Sequence, residues 1–276
     1  MHRGIYATFP GEVPRAAQLW AAVLVAGDGA VLSHQAAAEA WGMSAPQQPI
    51  HVTIPHSRKV TADVHGVVVH RSRQVDPHPA VMPPRTRIEE TVLDVALLCT
   101  TVDDAIAWLI AACQQRRTTA TRLRAALATR SRVHWRAELM SALADIDDGA
   151  QSLLEVRYLR NVERAHALPC GLRQTPRTGF AGKVYHDVEY ADFATIIELD
   201  GRIAHPMDAA HRDLVRDNAA AIRRCVTLHY GWDQVSREPC RVAAQVAKAL
   251  ADGGWTGRGT ACRRANCDLG QRRLKA

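Results

Sequence analysis

The spacing of apolar and polar residues changes several times along the chain, and each change marks an element. Residues 2–8 (HRGIYAT) alternate in strand fashion, with no earlier element to pair with. Ala17, Trp20, Ala21, Leu24 and Val25 then recur at helical spacing and predict a helix over 13–26, closed by the turn Gly27-Asp28-Gly29. Ser33 is placed to cap a second helix, rich in alanine, that ends near Trp41-Gly42. Residues 50–55 (IHVTIP) and 64–71 (VHGVVVHR) read as strands, and a short packed helix is expected over 87–98.

Helical spacing continues over 101–150, with one stripe of Val102, Ile106, Leu109, Ile110 and Cys113 and another of Leu123, Ala126 and Leu127. Arg116, Arg117, Arg122, Arg124, Arg130, Arg132 and Arg136 give this region a basic face. Such a face is either a solvated helix surface or a set of phosphate contacts. The acidic residues 145, 147 and 148 mark a break, and we place a domain boundary there. Beyond it Ser152 caps a helix that ends by Leu168-Pro169, and residues 172–178 and 183–191 form a hairpin across the glycine-bounded turn 179–182. A strand follows within 190–205, then a helix starting at Pro206, a strand at 225–230 and a last helix with Val242, Val246, Ala249 and Leu250 inward. Residues 252–276, rich in Gly and Arg and without apolar period, are expected to be a disordered basic tail.

The stretch YADFATIIELDGRIAH (190–205) carries the candidate chemistry. Side chains alternate faces along a strand, so Glu198 and Asp200 share one wall while Ile197 and Leu199 pack. Asp192 is six residues before Glu198, an even offset that keeps it on that wall if no bulge intervenes. Carboxylates brought together there repel, raise a pKa or bind a divalent cation. Glu155 lies in the first turn of its helix, where it either complements the helix dipole at the surface or turns toward the strand acids. His205, five residues past Asp200, is either a general-base candidate or a surface histidine. Arg212 and Arg216, one helical turn apart, either pair with nearby aspartates or hold a phosphate.

Composition narrows the classes. No apolar run approaches the roughly 18 residues of a membrane helix, and Met1-His2-Arg3 is not followed by a signal-peptide core, so a cytoplasmic protein without membrane partner is expected. Seven scattered cysteines argue for reduced thiols. Only Cys262 and Cys267 are close together, and with four intervening residues and no second pair a zinc site is not the expected reading. The net charge of +7 permits a polyanionic partner without requiring one.

Ser152-Leu-Leu-Glu155, Asp192-Phe-Ala, Glu198-Leu-Asp-Gly201, His205, Asp213-Leu-Val-Arg216-Asp217-Asn218 and Thr227-Leu-His-Tyr-Gly-Trp232 occur in this order over about a hundred residues. This stretch resembles the very-short-patch-repair-like endonuclease domain of the PD-(D/E)XK superfamily. The resemblance implies an α/β fold, with a restriction-endonuclease-like mixed sheet flanked by helices over 151–251. It further implies a Mg or Mn ion held by Glu155, Asp192 and Glu198, with Asp200 as ligand or supporting group and His205 as base, acting on DNA. Many relatives carry lysine two residues after the second acid, where this chain has Asp200.

His2-Arg-Gly-Ile-Tyr, Ala30-Val-Leu-Ser-His-Gln-Ala-Ala-Ala, His51-Val-Thr-Ile-Pro, Val69-His-Arg and Thr91-Val-Leu-Asp-Val-Ala resemble a second family, the actinobacterial AbiEi antitoxin-like proteins of type IV toxin–antitoxin systems. That resemblance implies an α+β region over 1–100 that lacks most of its winged helix, and an in-frame extension upstream of Met1 that encodes a helix-turn-helix. A basic helical connector over 101–150 follows. Two functions stand from this reading. One is a metal-dependent endonuclease; the other is a noncatalytic DNA-binding regulator or antitoxin, with a possible toxin partner, that keeps the nuclease fold as scaffold.

Overall fold

A computed structural model describes residues 4–8, 10–58, 65–73, 75, 77–78, 80–179, 182–200, 222 and 224–271. It is a mixed α/β structure with two mixed sheets, and the chain divides into two compact units, Met1–Leu143 and Ala144–Ala276.

In the first unit α1 (Arg15–Ala26), β1 (Val31–Leu32), α2 (His34–Ala40), β2 (Ile50–Pro55) and β3 (Val67–Ser72) come first. The sheet runs β1-β2-β3, antiparallel and then parallel. Leu19, Ala22, Val23 and Ala26 of α1 pack with Ala36 and Ala37 of α2 over Ile50, Val52 and Ile54 of β2. These α1 residues follow the i, i+3, i+4, i+7 pattern two positions on from the expected stripe, so the helix turns nearly the opposite face inward, and Trp20 and Leu24 are left exposed. The described residues 4–8 form no strand.

Next come α3 (Ile88–Leu98), α4 (Val102–Gln114) and α5 (Ala120–Thr129), which bury Val92, Leu93, Ile106, Leu109, Leu123 and Leu127. Several arginines of the expected basic face are spent inside this unit. Arg122 meets Glu89 at 2.9 Å, and Arg130 meets Glu90 at 2.5 Å and Asp94 at 2.8 Å. Arg136 donates to the Leu127 carbonyl at 3.0 Å and also to that of Arg130. α6 (Arg136–Asp147) carries the chain across the division, so the segment expected to be a connector is largely part of the first unit.

The second unit opens with α7 (Leu153–Tyr158), which Ser152 caps by accepting the Glu155 N–H at 3.1 Å. It runs on through a π turn, Leu159–Glu163, and a 3-10 turn, Arg164–His166, and stops at Ala167 in the left-handed conformation. The hairpin β4 (Leu172–Gly179) and β5 (Gly182–Tyr190) leads into β6 (Thr195–Asp200) and β7 (Val226–Gly231). The sheet order is β4-β5-β6-β7, antiparallel except for the parallel pair β6 and β7. A parallel pair needs a long crossover, which here falls mostly within 201–221, outside the described residues. α8 (Trp232–Arg237) and α9 (Pro239–Asp252) follow, α9 burying Val242, Ala243, Val246 and Leu250.

The tail departs from expectation. Residues 253–271 are ordered against this unit rather than disordered: the Trp255 N–H bonds the Leu250 carbonyl at 2.8 Å, the Thr260 N–H bonds the His166 carbonyl at 2.7 Å, and Cys267 is buried. A short α10 (Asp268–Gln271) ends the described chain. Polar backbone bonds and cysteines hold this segment, and neither leaves an apolar period to read. Among the described residues no helix is long and apolar enough to cross a membrane.

Candidate active site

Four carboxylates approach one another where the first turn of α7 meets β5 and the far end of β6. Glu155 is buried, and its Oε2 accepts the Gln151 N–H at 2.9 Å. On β5 the residue facing this group is Asp187. Val188 pairs with Ile197, and continuing that antiparallel register puts Asp187 opposite Glu198. The Asp187 side chain reaches across the strand gap, its Oδ2 accepting the Leu199 N–H at 2.7 Å. Burial pushes the Asp187 carboxyl up to about 6; the Leu199 N–H opposes this, and the charges of Glu198, Glu155 and Asp200 add to it.

Gln174 of β4 bridges two of these acids, with Nε2 at 3.5 Å from Glu155 Oε2 and 3.4 Å from Asp187 Oδ1. Its backbone has φ of 47°, an uncommon conformation for a non-glycine residue within a strand. Glu198 is buried and its Oε1 lies 2.7 Å from Nδ1 of the buried His186. Asp200 emerges at the strand end, its Oδ2 3.5 Å from Nδ1 of the half-exposed His229 on β7.

The sequence-predicted residues divide accordingly. Glu155, Glu198 and Asp200 all belong to the cluster, since each acts on the Asp187 carboxyl. Asp192 does not belong to it. It is exposed in the 3-10 turn Ala191–Phe193, before β6 begins, and Ala194 is left-handed, so the even count to Glu198 is not a count along one strand. Glu198 stands three residues into β6 beyond Thr195, roughly 10 Å further on. The turn itself packs against the end of α9, where a methyl group at Gly253 would overlap the Phe193 carbonyl. Asp187, Gln174 and His186 are not marked by the sequence, and His229 enters there only within the motif 227–232. Asp187 faces Glu198 across the β5–β6 pair and not along β6, so a count within the segment 190–205 does not reach it. His205, Arg212 and Arg216 lie outside the described residues.

Metal fit follows from donor type and spacing. Among the described residues two groups bring three or more candidate ligand atoms within 4.8 Å of one another: His34, His51 and His70 in the first unit, and His166, Cys240, Cys262 and Cys267 in the second. The four carboxylates are not so tightly closed, and the Gln174 amide stands between two of them. In the first unit His34 stacks on His70 with ring centroids 3.9 Å apart, and His51 Nδ1 lies 2.9 Å from His70 Nε2. Burial, then the neighbouring His70, His51 and Arg130, push the His34 imidazole down to about 3.

Comparison of the chain with protein-family models, curated proteins and solved structures finds no match.

Proposed function

We propose that the second unit is a metal-dependent, endonuclease-like module that hydrolyses DNA phosphodiesters, built on a restriction-endonuclease-like sheet. The observation that carries this reading is the convergence of Glu155, Asp187, Glu198 and Asp200 from one helix and two adjacent strands, with the Asp187 carboxyl raised to about 6 by burial and its acidic neighbours. Its mixed four-stranded sheet, with α7 and α9 packed in the same unit, supports the fold assignment.

The donors are hard oxygens, which suit Mg or Mn rather than a soft metal. Magnesium keeps several waters, so it does not need all four carboxylates to close on it. In this reading Asp187, Glu198 and Glu155 hold the ion. Gln174 can rotate its terminal amide to present oxygen, since its Nε2 already sits between Glu155 and Asp187. A bound divalent ion supplies charge neutralisation and an acidified water. Without a cation four carboxylates repel a phosphodiester, and this chain offers Asp200 where a lysine would soften that repulsion. His186 holds one oxygen of Glu198, and His229 beside Asp200 is the imidazole placed to take the proton of an attacking water.

DNA is the proposed partner, through the +7 net charge and the exposed Arg116, Arg117 and Arg132 of the first unit. A second reading, a noncatalytic DNA-binding regulator or antitoxin, draws on two observations. Asp200 occupies the lysine position, and the buried His186 already engages Glu198.

Nicking of supercoiled plasmid in Mg and in Mn separates the two. Wild type and Asp192→Ala are expected to nick, and Asp187→Ala to be slower by about 100-fold or more, as when a group stabilising transition-state charge is lost. An inactive wild type in both ions would overturn the enzyme reading in favour of the second.

A further inference from the structure

His166, Cys240, Cys262 and Cys267 come from three separate parts of the second unit. His166 ends the 3-10 turn that continues α7, Cys240 lies in the first turn of α9, and the other two belong to the tail. Their candidate ligand atoms all fall within 4.8 Å of one another, and the Sγ atoms of Cys240 and Cys262 are 3.5 Å apart. The edge of a tetrahedron with metal–sulfur bonds of about 2.3 Å is about 3.8 Å, so this is the scale of a four-coordinate zinc site.

The surroundings point to a ligand as well. His166 is 0 % exposed, its Nδ1 lies 2.9 Å from the Val162 carbonyl, and its Nε2 is buried with no hydrogen-bond partner. An Nδ1–H donated to that carbonyl leaves Nε2 as a bare lone pair, the tautomer a metal-bound histidine requires. An unpaired buried acceptor is costly, and a metal bond removes that cost. One backbone N–H is already turned toward sulfur: Arg264 N is 3.5 Å from Cys262 Sγ. Thiolates need such donors once deprotonated.

We propose that these four side chains bind one zinc ion, a structural Cys3His site that pins residues 253–271 to the end of the α7 stretch and to the start of α9. Three thiolates and an imidazole select zinc over magnesium, so this site is separate in chemistry from the carboxylate cluster. It is also structural in form, since four protein ligands leave no open position for substrate. The ordered tail follows from it: an arginine- and glycine-rich segment with little apolar surface gains its place from metal bonds, which supply folding free energy directly. Glu155 and His166 stand at opposite ends of one continuous helical stretch, so the ion braces the element that carries a candidate active-site acid.

Elemental analysis of the full chain purified under reducing conditions, together with cobalt substitution, tests this. The expected result is one zinc per chain, and a cobalt form with intense sulfur-to-metal charge-transfer absorption, which oxygen ligands do not produce. Cys262→Ser and Cys267→Ser should lose that absorption, whereas Cys99→Ser and Asp187→Ala should keep it, the latter whatever its nuclease activity. Because a ligand variant can fail to fold, trypsin sensitivity of wild type gives a second measure: cleavage at Arg258, Arg263 and Arg264 should appear only after strong chelation. Absence of zinc and of the charge-transfer band in wild type would overturn the proposal. So would a Cys240–Cys262 disulfide recovered under those reducing conditions, or a tail equally sensitive with and without chelator.

Discussion

Asp187 and Asp192 are five residues apart and chemically identical, and backbone geometry alone separates them. Asp187 lies on an extended strand whose register aims it at the Leu199 N–H, while Asp192 lies on a 3-10 turn that leaves it in solvent. Counting residues along one segment assumes a single strand, and the left-handed Ala194 breaks that assumption where sequence gives no warning. Ser152 and Glu155 were readable because a cap and a first-turn acid are local features. His34 shows the opposite case: it follows the expected cap Ser33, but its stack on His70 is a tertiary fact, and it takes φ of 50° to reach it. Its imidazole is pushed from 6.5 down to about 3, so the unfolded chain takes up a proton near 6.5 that the folded one refuses until about 3. Stability is therefore lost as pH falls through that window. His51 and His70 are shifted the same way by burial. In urea unfolding of the full chain between about pH 8 and about pH 4.5, wild type should lose stability on acidification more steeply than His34→Asn, a residue that tolerates the same backbone. Parallel curves would show that the His34 shift is absent.

Strands and turns of the second unit were legible at the element scale because their signals are short-range. Alternation and the Gly179–Gly182 bracket place the hairpin, and the run TIIEL places β6. The phase of α1 was not legible, since apolar stripes lie on opposite sides of the helix and only packing against β2 selects Leu19, Ala22, Val23 and Ala26. The tail was misread because donors for a metal or for backbone N–H groups carry no hydrophobic period. α9 and the Ala191–Phe193 turn meet at Gly253, where any side chain overlaps the Phe193 carbonyl. Backbone is a rigid obstacle, so Gly253→Ala should cost about 2 kcal/mol, the cost of overpacking a close contact. A lowered urea midpoint with unchanged slope would show it, and a midpoint equal to wild type would refute it.

For the molecule as a whole, the mixed α/β class follows from the order of helical and strand periods, and the acidic residues 145, 147 and 148 mark the stretch where the chain divides after Leu143. What sequence order alone does not supply is which acids meet, because that depends on pairing between β5 and β6 and on the placing of α7. Asp187, rather than Asp192, faces Glu155 and Glu198 in the proposed site for a hard divalent cation. Calorimetric titration of Mg and of Mn into zinc-saturated wild type, Asp187→Ala and Asp192→Ala measures this directly. Saturable binding by wild type and Asp192→Ala, lost in Asp187→Ala, is the predicted result. Binding that survives in Asp187→Ala, or a wild type that takes up neither ion, would contradict it.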